Sequence, residues 1–310
     1  MKAVGLRTFG GPEVLEVLDL PHREPGSQEV EVRVLAATVN PADRNVRTGF
    51  YAPPPNHPIY VPGMEVAGIV SCIGRGTMTD LEVGDRVMAI VVPHGTHGGY
   101  AESVVLPAAS VVRSPRGVTD AEAATIPMNA LTAKLALDAL GLSKSDTVAV
   151  TGAVGAVGGF AVQLAKSAGL RVIADAKPED ERLLRELGAD VVVPRGAGFA
   201  TEVAAFSLNG IDGVVDAGVV GLELAAIVRE GGTVATLRGL ETTVDRDVRF
   251  LPVMSGQHSQ DTKLLNFLRK AVEAQALKPR VCACLTAEEA VEAHHRLDAG
   301  GLHGRIVLTF

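Results

Sequence analysis

The sequence predicts an α/β chain of two domains, one mainly antiparallel and partly barrel-like, the other a doubly wound parallel sheet. Three observations carry this expectation. From Lys2 to about Arg113, short alternating runs such as residues 30–35 and 66–70 are cut by turn residues, the pattern of half-buried strands. From about Thr119, strand and helix patterns alternate, which favours a parallel sheet with helices on both faces. At 310 residues the chain also exceeds what a single core comfortably supports.

Composition narrows the function classes. Hydrophobic residues make up 47% and charged residues 21%, a globular balance. A net charge of −7, 4% aromatics and no tryptophan argue against a nucleic-acid partner, because phosphate backbones need a basic surface and unpaired bases need stacking platforms. Cys72, Cys282 and Cys284 are too few for a disulfide framework, and their odd number fits a reducing, cytoplasmic setting. Residues 1–10 lack a charged start followed by an apolar core, so no leader is expected. Residues 147–165 carry no charge and are long enough to mimic a membrane span. Four glycines inside that stretch favour a strand, a turn and a helix instead, and no membrane partner is expected.

In the first part, turns are expected at Gly10-Gly11-Pro12, Pro25-Gly26, Gly84-Asp85 and Gly98-Gly99, where glycine supplies backbone angles that other residues resist. In the second part, strands are expected over residues 146–151, 170–174, 191–193, 213–216 and 233–237. Helices are expected over residues 158–168, 178–187, 199–207 and 222–229. The helix over 178–187 has proline and acids at its start and Gly188 after its end. A helix over 262–274 and a strand over 306–310 close the chain.

The chemistry centres on V-A-V-T-G-A-V-G-A-V-G-G-F (residues 148–160). A buried strand turns sharply into a helix there, and the bare helix N-terminus with its dipole favours an anion such as a pyrophosphate. A missing side chain at Gly155 opens the approach, while Gly158 permits close packing of the helix. Gly152, Ala156 and Val157 complete the candidate cradle. The match to G-x-G-x-x-G is incomplete, since Ala153 stands where the first glycine is expected, and a tight turn without a ligand is the alternative.

The ordered motifs G-G-P-E-V-L (residues 10–15), V-N-P-A-D (39–43), V-P-G-M-E-V-A-G (61–68), V-G-D-R-V (83–87), G-G-Y-A-E (98–102), A-A-T-I-P (123–127), L-G-A-D (187–190) and G-R-I-V-L (304–308) resemble the zinc-independent, zeta-crystallin-like quinone oxidoreductases of the medium-chain dehydrogenase/reductase superfamily. The resemblance covers nearly the whole chain. It implies a Rossmann-type domain, residues 119–261, inserted in a GroES-like catalytic domain made of residues 1–118 and 262–310. It also implies a homodimer.

Zinc-containing relatives place a cysteine near Thr38-Val39-Asn40 and a histidine at Met64, so the resemblance implies no zinc. Cys282 and Cys284 are expected as two buried or half-exposed thiols on a strand. An acid about twenty residues past the glycines usually bonds the ribose hydroxyls of NAD, and Asp175 lies there. Lys177 and Arg195 supply positive charge nearby, so the cofactor is expected to be NADPH, with NADH as the alternative. Asp216, at the end of a later strand, is a further candidate for the cofactor.

The resemblance further implies hydride transfer to a small quinone or enone. Asn40 and Tyr51, the candidate catalytic residues, line the substrate side, with Tyr51 as the candidate donor of a proton or hydrogen bond, and Asn129 and Thr132 lie near the nicotinamide. Asn40 before Pro41 also reads as a turn residue, and Tyr51 beside its prolines as a packing element. His94 and His97 read as a polar loop. Two rivals stand beside a general quinone reductase: a dedicated enone or enoyl reductase of a biosynthetic pathway, and a non-catalytic binding protein that keeps the fold.

Overall fold

A hairpin of β1 (Lys2–Gly5) and β2 (Glu16–Asp19) opens the chain and is followed by β3 (Glu29–Val39), on which the first unit is organised. The computed structural model describes residues 1–50, 58–196, 198–207 and 209–310. The elements that follow are α1 (Pro41–Arg47), β4 (Glu65–Ile73), β5 (Arg86–Ile90), β6 (Ser103–Pro107), β7 (Val111–Arg113) and α2 (Asp120–Ala124).

The long β3 is shared among three partners. Its first half pairs with β6, its last residues pair with the C-terminal strand, and its other edge pairs with β4. Two register shifts bend the β3–β4 ladder. At this bend only a glycine fits opposite, because a Cβ on Gly68 would lie 2.0 Å from the Arg33 carbonyl oxygen. The expected turn glycines divide by cause. Gly84 has φ +97°, whereas Gly98 has no left-handed angle and is required because its Cβ would stand 2.0 Å from the Val61 oxygen.

The second unit runs through α3 (Pro127–Leu140), β8 (Thr147–Thr151), α4 (Ala156–Ser167), β9 (Arg171–Ala176), α5 (Glu181–Leu187), β10 (Val191–Pro194), α6 (Phe199–Ala204), β11 (Ile211–Asp216), β12 (Val228–Thr236), β13 (Thr242–Val244) and β14 (Val248–Pro252). The sheet order is β10-β9-β8-β11-β12-β14-β13, parallel throughout except for β13. Counted from β8, this is the doubly wound order 3-2-1-4-5-6 with one antiparallel edge strand. Its reversal falls between β8 and β11, so the ligand crevice of such sheets is expected beyond Thr151 and Asp216.

Then come α7 (Thr262–Glu273), β15 (Val281–Thr286), α8 (Ala290–Ala299) and β16 (Arg305–Thr309). β16 pairs with β3 and carries β15 at its far edge, so the C-terminus completes the first unit. The compact units are residues 1–128, 256–273 and 279–310, and residues 129–255 and 274–278. Helix α2 packs on β3 and β4 and therefore belongs to the first unit.

The differences from the expected elements have local causes. Residues 222–227 form a 3-10 turn, because Val228 already pairs with Ile211 at the start of β12. β13 and β14 were not expected; a charged turn, Asp245-Arg246-Asp247, with Arg246 at φ 64° hides a hairpin whose strands are too short to alternate visibly. Cys282 and Cys284 are both exposed, because β15 is an edge strand and they share its outer face. Residues 147–165 form β8, a turn and most of α4, and no helix among the described residues is long and apolar enough to cross a membrane.

The unexpected hairpin buries Phe250 completely in the core of the second unit, beside Val214, Val234 and Leu224. Phe250→Ala is expected to lower unfolding stability by about 3–5 kcal/mol, as for other large aromatic truncations. Urea denaturation of the two proteins measures this directly, and a loss under about 1 kcal/mol would place Phe250 outside the core.

Candidate functional site

The glycine turn is built by steric exclusion. Gly152 follows β8 at φ +60°, and a Cβ there would meet the Gly218 amide nitrogen at 2.8 Å. Gly155 caps α4, and its amide donates back to Gly152 O at 2.9 Å. The first bond into the helix is Gly159 N–H to Gly155 O at 2.9 Å, so the amides of Ala156, Val157 and Gly158 have no helical carbonyl to meet. A Cβ on Gly158 would stand 2.3 Å from Gly152 O, so the close packing expected at Gly158 is of the helix on the turn rather than on the strand. A Cβ on Gly155 would meet only Gly152 O, at 3.1 Å; its absence leaves the helix entrance open. This cradle fits a diphosphate.

Asp175 and Arg195 belong to neighbouring strand ends. Asp175 is buried near the end of β9, where its Oδ1 accepts the Ala153 amide at 3.0 Å and its Oδ2 accepts Arg195 Nε at 2.8 Å. The acid therefore braces the glycine turn and is neutralised by a half-exposed guanidinium. Lys177 is exposed just after β9. Asp216 is also buried, and its oxygens accept the Thr151 hydroxyl at 2.7 Å and the Val220 and Gly221 amides at 2.9 Å each. It ties β8 to the loop after β11. Asn129 and Thr132 are buried one turn apart on α3.

In the first unit, Asn40 lies at the N-terminus of α1 and is 3% exposed. Its amide Nδ2 donates to Thr38 Oγ1 at 2.8 Å and to Glu65 Oε1 at 3.2 Å, which engages both protons. Thr38 donates to the same Glu65 oxygen, and the Met128 amide donates to Glu65 Oε2 at 2.7 Å. Burial pushes the Glu65 carboxyl above its ordinary range, while these donors and the Arg305 charge pull it back. Tyr51 lies outside the described residues.

A second buried group stands behind Asn40. Asp43 Oδ2 accepts the Asn40 amide at 2.7 Å, and Asp43 Oδ1 accepts the Gly63 amide at 2.8 Å. The Tyr100 hydroxyl donates to Asp43 Oδ2 at 3.3 Å. Tyr100 also meets His294 Nε2 at 3.3 Å, and Arg47 Nη1 donates to His294 Nδ1 at 3.1 Å. Burial, opposed by these donors, raises Asp43 to about 7; burial and the Arg47 charge lower His294 to about 3. Residue-level reading missed Asp43, Tyr100 and His294 as a group. V-N-P-A-D and G-G-Y-A-E marked the first two, but no local signal marks His294, which is 194 residues from Tyr100. The polar loop expected at His94 and His97 is a tight hairpin with reciprocal backbone bonds of 2.8 and 2.9 Å.

Residues 26–116 match the alcohol dehydrogenase GroES-like domain, and residues 156–259 match the zinc-binding dehydrogenase family. A solved structure described as an NAD-dependent alcohol dehydrogenase superposes with a TM-score of 0.87 at 33% identity, covering 100% of both chains. The quinone oxidoreductase of Pseudomonas aeruginosa is 37% identical over 190 residues, 61% of this chain. The chain belongs to the quinone oxidoreductase family of the medium-chain dehydrogenase/reductase superfamily. The matched stretch spans 57% of the length of the Pseudomonas relative. A mycobacterial protein solved in complex with NADPH superposes with a TM-score of 0.87 at 28% identity, again over 100% of both chains.

The name of the second matched family implies zinc, and the donor chemistry of this member does not fit it. Around Asn40 the groups are a hydroxyl, an amide and a carboxylate already bonded to one another, with neither thiolate nor imidazole among them. Among the described residues, no group of three histidine, cysteine or acidic side chains could hold a metal ion.

The buried, neutral His294 ring couples folding to pH. The ring stays neutral in the fold down to about pH 3, but in the unfolded chain it takes up a proton near the ordinary 6.5. Below 6.5 the unfolded state binds more protons, so His294 makes stability fall as pH falls toward 3. The wild type is therefore expected to lose stability relative to His294→Gln by about 1.4 kcal/mol per pH unit across that window. Parallel denaturant titrations from pH 7 to 4 measure it, and parallel curves would refute the neutral buried ring.

Proposed function

We propose that this chain is an NADPH-dependent, zinc-independent reductase of a small quinone or α,β-unsaturated carbonyl, acting as a cytoplasmic homodimer. The observation that carries the reading is the open helix entrance at Gly155, beside the strand reversal where doubly wound sheets take dinucleotides. Similarity to a quinone oxidoreductase and to a member complexed with NADPH supports the acceptor and cofactor classes.

A bound reduced dinucleotide supplies the hydride. The amides of Ala156 to Gly158 would hold its diphosphate, with Asn129 and Thr132 on the nicotinamide side. The protein then has to stabilise the oxygen on which charge develops in the acceptor. Both Asn40 amide protons are engaged by Thr38 and Glu65, so Asn40 orients the polar wall and Tyr51 is the proposed donor to that oxygen. NADPH is favoured over NADH because Asp175 is already engaged with Ala153 and Arg195, while the exposed Lys177 brings positive charge to the same strand end.

Fluorescence titration with both reduced cofactors is expected to give tighter binding of NADPH, and a tenfold advantage for NADH would overturn that choice. A panel of simple quinones and enones tests the acceptor class; activity confined to one enone would favour a dedicated biosynthetic reductase. Tyr51→Phe is expected to lower turnover of an enone at least severalfold, and unchanged kinetics would remove Tyr51 from the mechanism.

A further inference from the structure

We infer that His294, on the C-terminal helix α8, is a positioning residue that closes a buried clamp around α1 and thereby sets the Asn40 segment. The inference rests on the reading above for its link to catalysis, because that reading makes the Asn40 segment the substrate side of the site.

The clamp is a closed ring. Asp43 and Arg47 lie one turn apart on α1, a helix of only seven residues. Helices this short have little stability of their own, so α1 needs tertiary support. A guanidinium can only donate, so His294 Nδ1 accepts from Arg47 and the proton of the neutral ring sits on Nε2. That N–H donates to the Tyr100 oxygen, and the Tyr100 hydroxyl donates to Asp43. With Asp43 ionised, each link of the ring pairs one donor with one acceptor, which fixes the direction. Asp43 then holds the amides of Asn40 and Gly63, the residues at which α1 and the approach to β4 begin.

The ring is anchored at its other end. Arg47 Nη2 donates to Asp298 at 2.7 Å, and Arg47 Nε donates to the Gly10 oxygen at 3.2 Å. His294, Arg47, Asp43 and Tyr100 are each no more than 2% exposed, so water cannot replace a lost partner cheaply. One face of α8 thus fixes both ends of the helix whose N-cap is Asn40.

Glutamine tests the geometry because its amide oxygen can accept from Arg47 while its nitrogen donates to Tyr100; leucine removes both bonds. In the full chain, hydrogen exchange at the Asn40 and Gly63 amides is expected to quicken at least tenfold in His294→Leu and to return to within threefold of wild type in His294→Gln. With NADPH and 1,4-benzoquinone, His294→Leu is expected to lower kcat/KM for the quinone at least tenfold with NADPH affinity within twofold, and His294→Gln to recover most of the loss. Nitrogen-15 spectra of the wild-type histidines at pH 7 are expected to report a neutral ring protonated on Nε2. A charged or Nδ1-protonated ring, unchanged exchange in the leucine variant, or a glutamine variant no better than leucine overturns the clamp. Should His294→Leu fail to fold, Tyr100→Phe, which breaks the same ring at both Asp43 and His294, replaces it with the same exchange criterion. If wild type binds neither dinucleotide, the reductase reading falls, and the exchange and nitrogen-15 results still decide the clamp.

Discussion

The contact between α4 and the glycine turn is the constraint on which the second unit depends. With Gly158 against the Gly152 carbonyl and Gly152 against Gly218, neither position has room for a side chain. The helix must therefore start where it does, with its first amides at the strand end. Asp175 holds the turn from one side through Ala153, and Asp216 holds β8 from the other through Thr151. Two acids that a motif search would assign to a ligand are, in this fold, first of all braces for the cradle.

The first unit relies on buried charge rather than on a tight turn. Glu65 and Asp43 are fully buried carboxylates within one network of polar side chains, and Arg305 supplies a buried positive charge near both. An isolated carboxylate in such a place would be strongly unfavourable, so each is met by several donors. The arrangement also ties distant chain segments together. β16 completes the sheet on β3, and α8 contributes His294 and Asp298 to the residues around α1. The end of the chain is thereby part of the same structure as its beginning.

Much of the candidate site was legible because it rests on local steric rules. A run of apolar residues broken by Gly152, Gly155 and Gly158 announces a strand, a turn and a helix to any reader of backbone preferences. The positions of Asp175 and Arg195 after successive strands were likewise visible. Their pairing was not, since it depends on β9 and β10 lying side by side in register. The hairpin of β13 and β14 escaped notice because its strands are short and its turn is charged.

The sequence by itself determined the periodicities, the glycine positions and the family motifs, all of which are properties of neighbouring residues. Tertiary structure alone decided which polar groups are already engaged. Asn40 is held in one orientation because Thr38 and Glu65 take both its amide protons. His294 is neutral because it is buried beside the Arg47 charge, and directional because Arg47 and Tyr100 meet its two ring nitrogens. Hydrogen-bond donors and acceptors are finite, and which of them remain for a ligand can be counted only after folding has brought distant residues together.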